Sequence, residues 1–107
     1  MKKIYLFCSQ GMSTSLLASK MQKVADEHKL PIEVKASPHG TIEEVVAREN
    51  PDCILLGPQV KYLYNETTEK FKDSNLPIAV IDSADYGMMN GEKVLKKAIM
   101  LIKNNKK

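Results

Sequence analysis

Four short apolar runs, at residues 4–8, 32–36, 53–57 and 78–82, alternate with longer segments whose apolar residues recur at helical spacing. Strands separated by helices return by crossover rather than by hairpin, so they pair in parallel and the helices cover both faces of the sheet. Such crossovers are right-handed. The run Ile32-Glu33-Val34-Lys35-Ala36 alternates apolar and polar residues, as a half-exposed edge strand does. Cys53-Ile54-Leu55-Leu56 is continuously apolar, as in a strand buried on both faces. With the second strand at an edge, the simplest order is 2-1-3-4. The expectation is an α/β fold: one doubly wound domain over residues 1–107, with a four-stranded parallel sheet between helical layers.

The connections carry their own signals. Residues 13–29 predict a helix with Leu17, Met21, Val24 and Ala25 inside, and the opening spacing counts Leu16 with them. Leu30-Pro31 ends it. Ser37-Pro38-His39-Gly40 reads as a turn, and Thr41-Ile42-Glu43-Glu44 fits a capping box at the start of a short helix through Arg48. After Gly57-Pro58-Gln59, the residues Val60, Leu63, Tyr64, Thr67 and Phe71 fall on one helical stripe. Residues 83–87 read as an exit loop after the fourth strand. Asn90 is the expected cap of a last helix with Val94, Leu95, Ala98, Ile99, Leu101 and Ile102 inside.

Composition narrows the classes of function. At 107 residues, 43% hydrophobic and 27% charged, the chain can bury a core without staples. The net charge of +3 matches Lys103, Lys106 and Lys107 of the C-terminal tail, and six aromatics without a Trp make no basic, aromatic-lined stripe, so a nucleic-acid partner is not expected. The N-terminal apolar stretch is too short for a signal peptide or a membrane span, which points to a cytoplasmic protein with reduced thiols. No His, Cys and carboxylate set has metal-ligand spacing, and no cofactor motif is present. His28 complements a helix end, and His39 is expected to be a solvated turn residue. No apolar stripe is left over, which favours a monomer.

The first strand ends at Cys8, and Ser9-Gln10-Gly11-Met12-Ser13-Thr14-Ser15 follows before the helical pattern is established. In a parallel sheet this corner lies at the carboxyl edge, beside the point where the strand order reverses, which is where such folds place ligands. The loop can aim several N–H groups at one point, and the helix directs the positive end of its dipole there. An anion is favoured on or beside Cys8, and the same donors favour thiolate over thiol. A cysteine closing a strand is also compatible with a plain core position. Cys53, at the N-terminal end of its strand, reads as structural.

Spacing separates the chemistries open to such a thiol. A redox pair of the Cys-x-x-Cys kind fails, because the position three after Cys8 is Gly11. Cysteine phosphatases of low molecular weight use Cys-x5-Arg-(Ser/Thr), with the guanidinium forking around the phosphate. Here Thr14 stands at the Arg position and Ser15 follows. Donors without a guanidinium can hold a phosphoryl group on sulfur while giving less help to its hydrolysis, the balance a carrier needs. A phosphatase or arsenate reductase with an unusual loop, and a non-catalytic anion-binding adaptor, stay open on the residues alone.

Along its length the chain resembles the lactose/cellobiose-type IIB component of the bacterial phosphoenolpyruvate-dependent sugar phosphotransferase system. The residues that carry this are Ile4-Tyr5-Leu6-Phe7-Cys8-Ser9-Gln10-Gly11-Met12-Ser13-Thr14-Ser15-Leu16-Leu17, Leu55-Leu56-Gly57-Pro58-Gln59-Val60, and Val80-Ile81-Asp82-Ser83 with Tyr86-Gly87. The resemblance implies that Cys8 accepts a phosphoryl group from a histidine of IIA and passes it to a disaccharide held by the membrane IIC component. It implies that Ser9, Gln10, Gly11, Met12, Ser13, Thr14 and Ser15 cradle that group. It also implies that both partners dock around Cys8, on a surface expected to include Pro58, Gln59, Asp82, Ser83 and Tyr86.

Overall fold

The structure, a computed structural model, describes residues 2–8 and 11–104, without the side chains of residues 11–13. In chain order the elements are β1 (Lys2–Cys8), α1 (Gly11–Glu27), β2 (Ile32–Pro38), α2 (Ile42–Glu49), β3 (Cys53–Leu56), α3 (Tyr64–Lys70), β4 (Ile78–Val80), α4 (Ser83–Gly87) and α5 (Gly91–Asn104). All the strand pairings are parallel, and the order is β2-β1-β3-β4, as the alternating pattern of the second strand led one to expect.

The period of two along β1 divides the core. Ile4 and Leu6 enter one cluster with Leu17, Met21 and Ala25 of α1 and Val94, Leu95 and Ala98 of α5. Tyr5 and Phe7 enter the other, with Ile42 and Val45 of α2, Val60, and Ile54 and Leu56 of β3. Each such side chain, fully buried, is worth about 1.5–3 kcal/mol, so β1 is fixed from both sides. Where α5 begins, Gly91 lies so close to α1 that a Cβ there would come within 2.9 Å of the Lys20 carbonyl carbon. This close crossing holds α1 against the sheet.

Local departures from expectation have local causes. α1 starts at Gly11 rather than Ser13 and ends at Glu27, and Leu16 is 52% exposed instead of joining its buried stripe. Thr41 makes no capping bond: its hydroxyl donates to the Pro38 carbonyl at 2.7 Å, closing the 3-10 turn His39–Thr41 that precedes α2. After β3 the chain forms a 3-10 segment, Pro58–Leu63, before α3. Val60 breaks the helical path there (φ −119°, ψ 27°) to bury its side chain completely, and the phase shift leaves Tyr64 38% exposed. β4 stops at Val80, and residues 83–87 form α4 instead of a loop. Asn90 does cap α5, its Oδ1 accepting from the Lys93 N–H at 3.2 Å.

Cys53 pairs with Ile4, at the opposite end of the sheet from Cys8, and the two are not joined in a disulfide. Burial, together with the neighbouring Asp52 carboxylate, pushes the Cys53 thiol up from 9.0 to about 12. The fold therefore retains a proton that the unfolded chain gives up first. This contribution to stability is intact below pH 9.0 and is lost as the pH rises toward about 12. Urea unfolding between pH 8 and 10 should show a steeper alkaline loss in the wild type than in Cys53→Ala, by up to about 1.4 kcal/mol per pH unit. Parallel slopes would show that this thiol is not so shifted.

Candidate functional site

Cys8 closes the central strand and is 1% exposed. Being two residues after Leu6, it falls on the α1 side of the sheet. α1 begins at Gly11, so the positive end of that helix stands within three residues of the sulfur. Ser9 and Gln10, and the side chains of Gly11, Met12 and Ser13, lie outside the described residues. Ser15 is exposed. Thr14 is fully buried, and its hydroxyl meets the Tyr86 hydroxyl at 3.1 Å, in the core between α1 and α4. Tyr86, expected on a partner surface, is only 8% exposed and packs with the α1 and α5 core. Its ring is apolar area for that core, and its hydroxyl satisfies the one polar atom Thr14 buries.

The neighbouring strand exits bring further groups to Cys8. On the β2 side, Pro38 pairs opposite Cys8, and the next residue, His39, sets its Nδ1 3.4 Å from the Cys8 carbonyl oxygen. On the β3 side, the Gly57 N–H donates to the Phe7 carbonyl at 2.8 Å, carrying the β1–β3 ladder one step past the strand. A Cβ on Gly57 would stand 3.3 Å from the Cys8 Cβ and 2.8 Å from Gln59 Oε1. Gln59 therefore folds its amide back over Gly57, beside Cys8, although the residue as a whole is exposed. Pro58 is half-buried, and Asp82 and Ser83 are exposed at the exit of β4, two strands from β1.

Of the residues singled out in the sequence, Cys8 and Gln59 both border Gly57. Gly57 was read only as part of the corner, yet its missing side chain is what lets β3 approach the cysteine. His39 was expected to be solvated. The signal that would have found it was available, because an edge strand 2 paired to strand 1 must release its first exit residue next to Cys8. Among the described residues, no cluster of three His, Cys, Asp or Glu is arranged to hold a metal ion.

The family model for the lactose/cellobiose-specific IIB subunit of the PTS system matches residues 3–97. The chain belongs to this family. It is 45% identical over 100 residues to the galactose-specific EIIB component of the PTS system from Lactococcus lactis subsp. cremoris (strain MG1363), covering 91% of this chain and 93% of that protein. The cellobiose-specific EIIB component from Lactococcus lactis subsp. lactis (strain IL1403) is 44% identical, with the same 91% and 93% coverage. The solution structure of the cellobiose-specific phosphotransferase IIB component from Borrelia burgdorferi is 38% identical and superposes with a TM-score of 0.79 over 97% of this chain and 94% of that one. IIB components are phosphotransferases of sugar transport.

Two contacts around Cys8 of the IIB chain can be tested by small changes. Gly57→Ala should displace the Gln59 amide and press on the Cys8 Cβ, costing about 1 kcal/mol because Gln59 is free to swing away. Urea unfolding reads that cost, and alkylation of Cys8 should change rate as well; an unchanged pair of values would mean the corner has slack. Tyr86→Phe strands the Thr14 hydroxyl in the core and should cost about 1–2 kcal/mol in the same unfolding assay.

Proposed function

We propose that this IIB chain works in the cytoplasm as a phosphoryl carrier, with Cys8 as the residue that is phosphorylated. The donor is a phosphohistidine of the IIA component. The acceptor is a disaccharide of the cellobiose, chitobiose or lactose class, held by the membrane IIC component. The observation that carries the reading is the position of Cys8: it ends the central strand, three residues before the N-terminus of α1.

The chemistry balances without a cofactor. The Cys8 thiolate attacks phosphorus, the S–P bond forms as the P–N bond breaks, and the electron pair returns to the imidazole nitrogen of the donor. In the second transfer a sugar hydroxyl oxygen attacks phosphorus, the O–P bond forms as the S–P bond breaks, the hydroxyl proton passes to water, and sulfur leaves as thiolate. A thiophosphate brings close to two negative charges to the corner. The backbone N–H groups of residues 9–15 and the dipole of α1 are suited to hold them.

The docking surface for IIA and IIC is the carboxyl edge around Cys8, with Pro58, Gln59, Asp82 and Ser83 on its rim. Tyr86 belongs beneath that rim, where it supports α1 through Thr14. Relatives of nearly equal identity are named for galactose and for cellobiose, so the sugar does not follow from overall likeness.

The test is intact mass after incubation with phosphoenolpyruvate and the general phosphotransfer proteins, with and without a IIA component of the lactose/cellobiose class. One added phosphate is expected, dependent on IIA and absent in Cys8→Ser. No adduct with a competent IIA, together with turnover of an aryl phosphate or arsenate, would replace the carrier reading with a phosphatase or reductase.

A further inference from the structure

The peptide group leaving Cys8 is held from outside the loop it begins. His39 Nδ1 lies 3.4 Å from the Cys8 carbonyl oxygen. A carbonyl oxygen only accepts, so this contact requires the proton on Nδ1. The partner strand ends at Pro38, opposite Cys8, so the next residue, His39, is the one that reaches this carbonyl. His39 is the first residue past that strand, and its own carbonyl accepts the Ile42 N–H, which fixes the 3-10 turn His39–Thr41 that presents the ring. The peptide group is planar, so a donor on its oxygen sets the direction of its N–H as well.

We propose that His39 is a positioning residue for phosphoryl transfer at Cys8, its Nδ1–H anchoring the Cys8 carbonyl and so orienting the peptide that opens the anion-binding loop. This rests on the reading of Cys8 as the phosphoryl carrier. The effect is transmitted through the main chain of Cys8. Because the separation is at the long end for a hydrogen bond, its loss is worth a modest factor, about fivefold in rate.

The ring itself provides the first test. Imidazole nitrogen chemical shifts of wild-type protein in its neutral form should report the Nδ1–H tautomer for His39; an Nε2–H tautomer overturns the proposal. The second test compares rates of IIA-dependent Cys8 phosphorylation in wild type, His39→Ala and His39→Asn. The Asn side chain places an N–H donor near the position of Nδ1. Ala should slow the transfer about fivefold, and Asn should restore it to within about twofold of wild type. Equal rates for Ala and wild type, or an Asn variant as slow as Ala while both unfold at the wild-type urea midpoint, overturn it. If wild-type Cys8 takes no phosphoryl group at all, the carrier reading fails. The anchoring role is then decided by the tautomer and by the same three-protein comparison of Cys8 alkylation rates.

Discussion

The burial of β1 on both faces is the constraint on which the remainder depends. Ile4 and Leu6 hold it to the α1 and α5 layer, Tyr5 and Phe7 to the α2 layer, and β2 and β3 saturate its two edges. A strand fixed in this way has no freedom of register, because a slip by one residue would exchange the two apolar sets and break both layers at once. Cys8 inherits that fixity as the last residue of the strand. The position of Cys8 is therefore set by the packing of the core on both faces of β1.

The sheet order brings three chain exits to that point. β2 supplies His39 and β3 supplies Gly57 with Gln59, each one strand from Cys8, while β4 delivers Asp82 and Ser83 farther out. The groups nearest the cysteine belong to the immediate neighbours of β1, and the exit of β4 lies one strand farther out. Cys53 makes the contrast. It shares the α1 and α5 side of the sheet with Cys8 but sits at the N-terminal end of its strand, away from these exits, with its thiol pushed up to about 12.

Much of this was legible in the sequence because it rests on periodicity. The alternation of residues 32–36 places β2 at the edge, the continuous run at residues 53–56 places β3 inside, and order 2-1-3-4 follows with Cys8 at its switch point. What was not legible depends on contacts between parts of the chain far apart in sequence. Thr41 matches a capping box by type and spacing, yet a nearer acceptor at Pro38 takes its hydroxyl. Tyr64 falls on a helical stripe only if the helix is continuous, and the burial of Val60 interrupts it. Tyr86 reads as an exposed loop residue until its hydroxyl is seen 72 positions away, against Thr14.

The Thr14–Tyr86 pair also bears on the missing arginine of the phosphatase spacing. In the phosphatase spacing, the sixth residue after the cysteine is the arginine that would stabilise in-line attack by water. Here that position carries a side chain with no exposed surface, facing the core and hydrogen-bonded there. A guanidinium at this place would have to displace Tyr86 from the α1 and α5 layer or be buried without compensation, at several kcal/mol. The position has been committed to holding α1 in place. With Thr14 turned to the core, this position supplies no fork shaped for the transition state of hydrolysis. On the carrier reading proposed above, a phosphoryl group on Cys8 would persist until a better acceptor than water is brought to it.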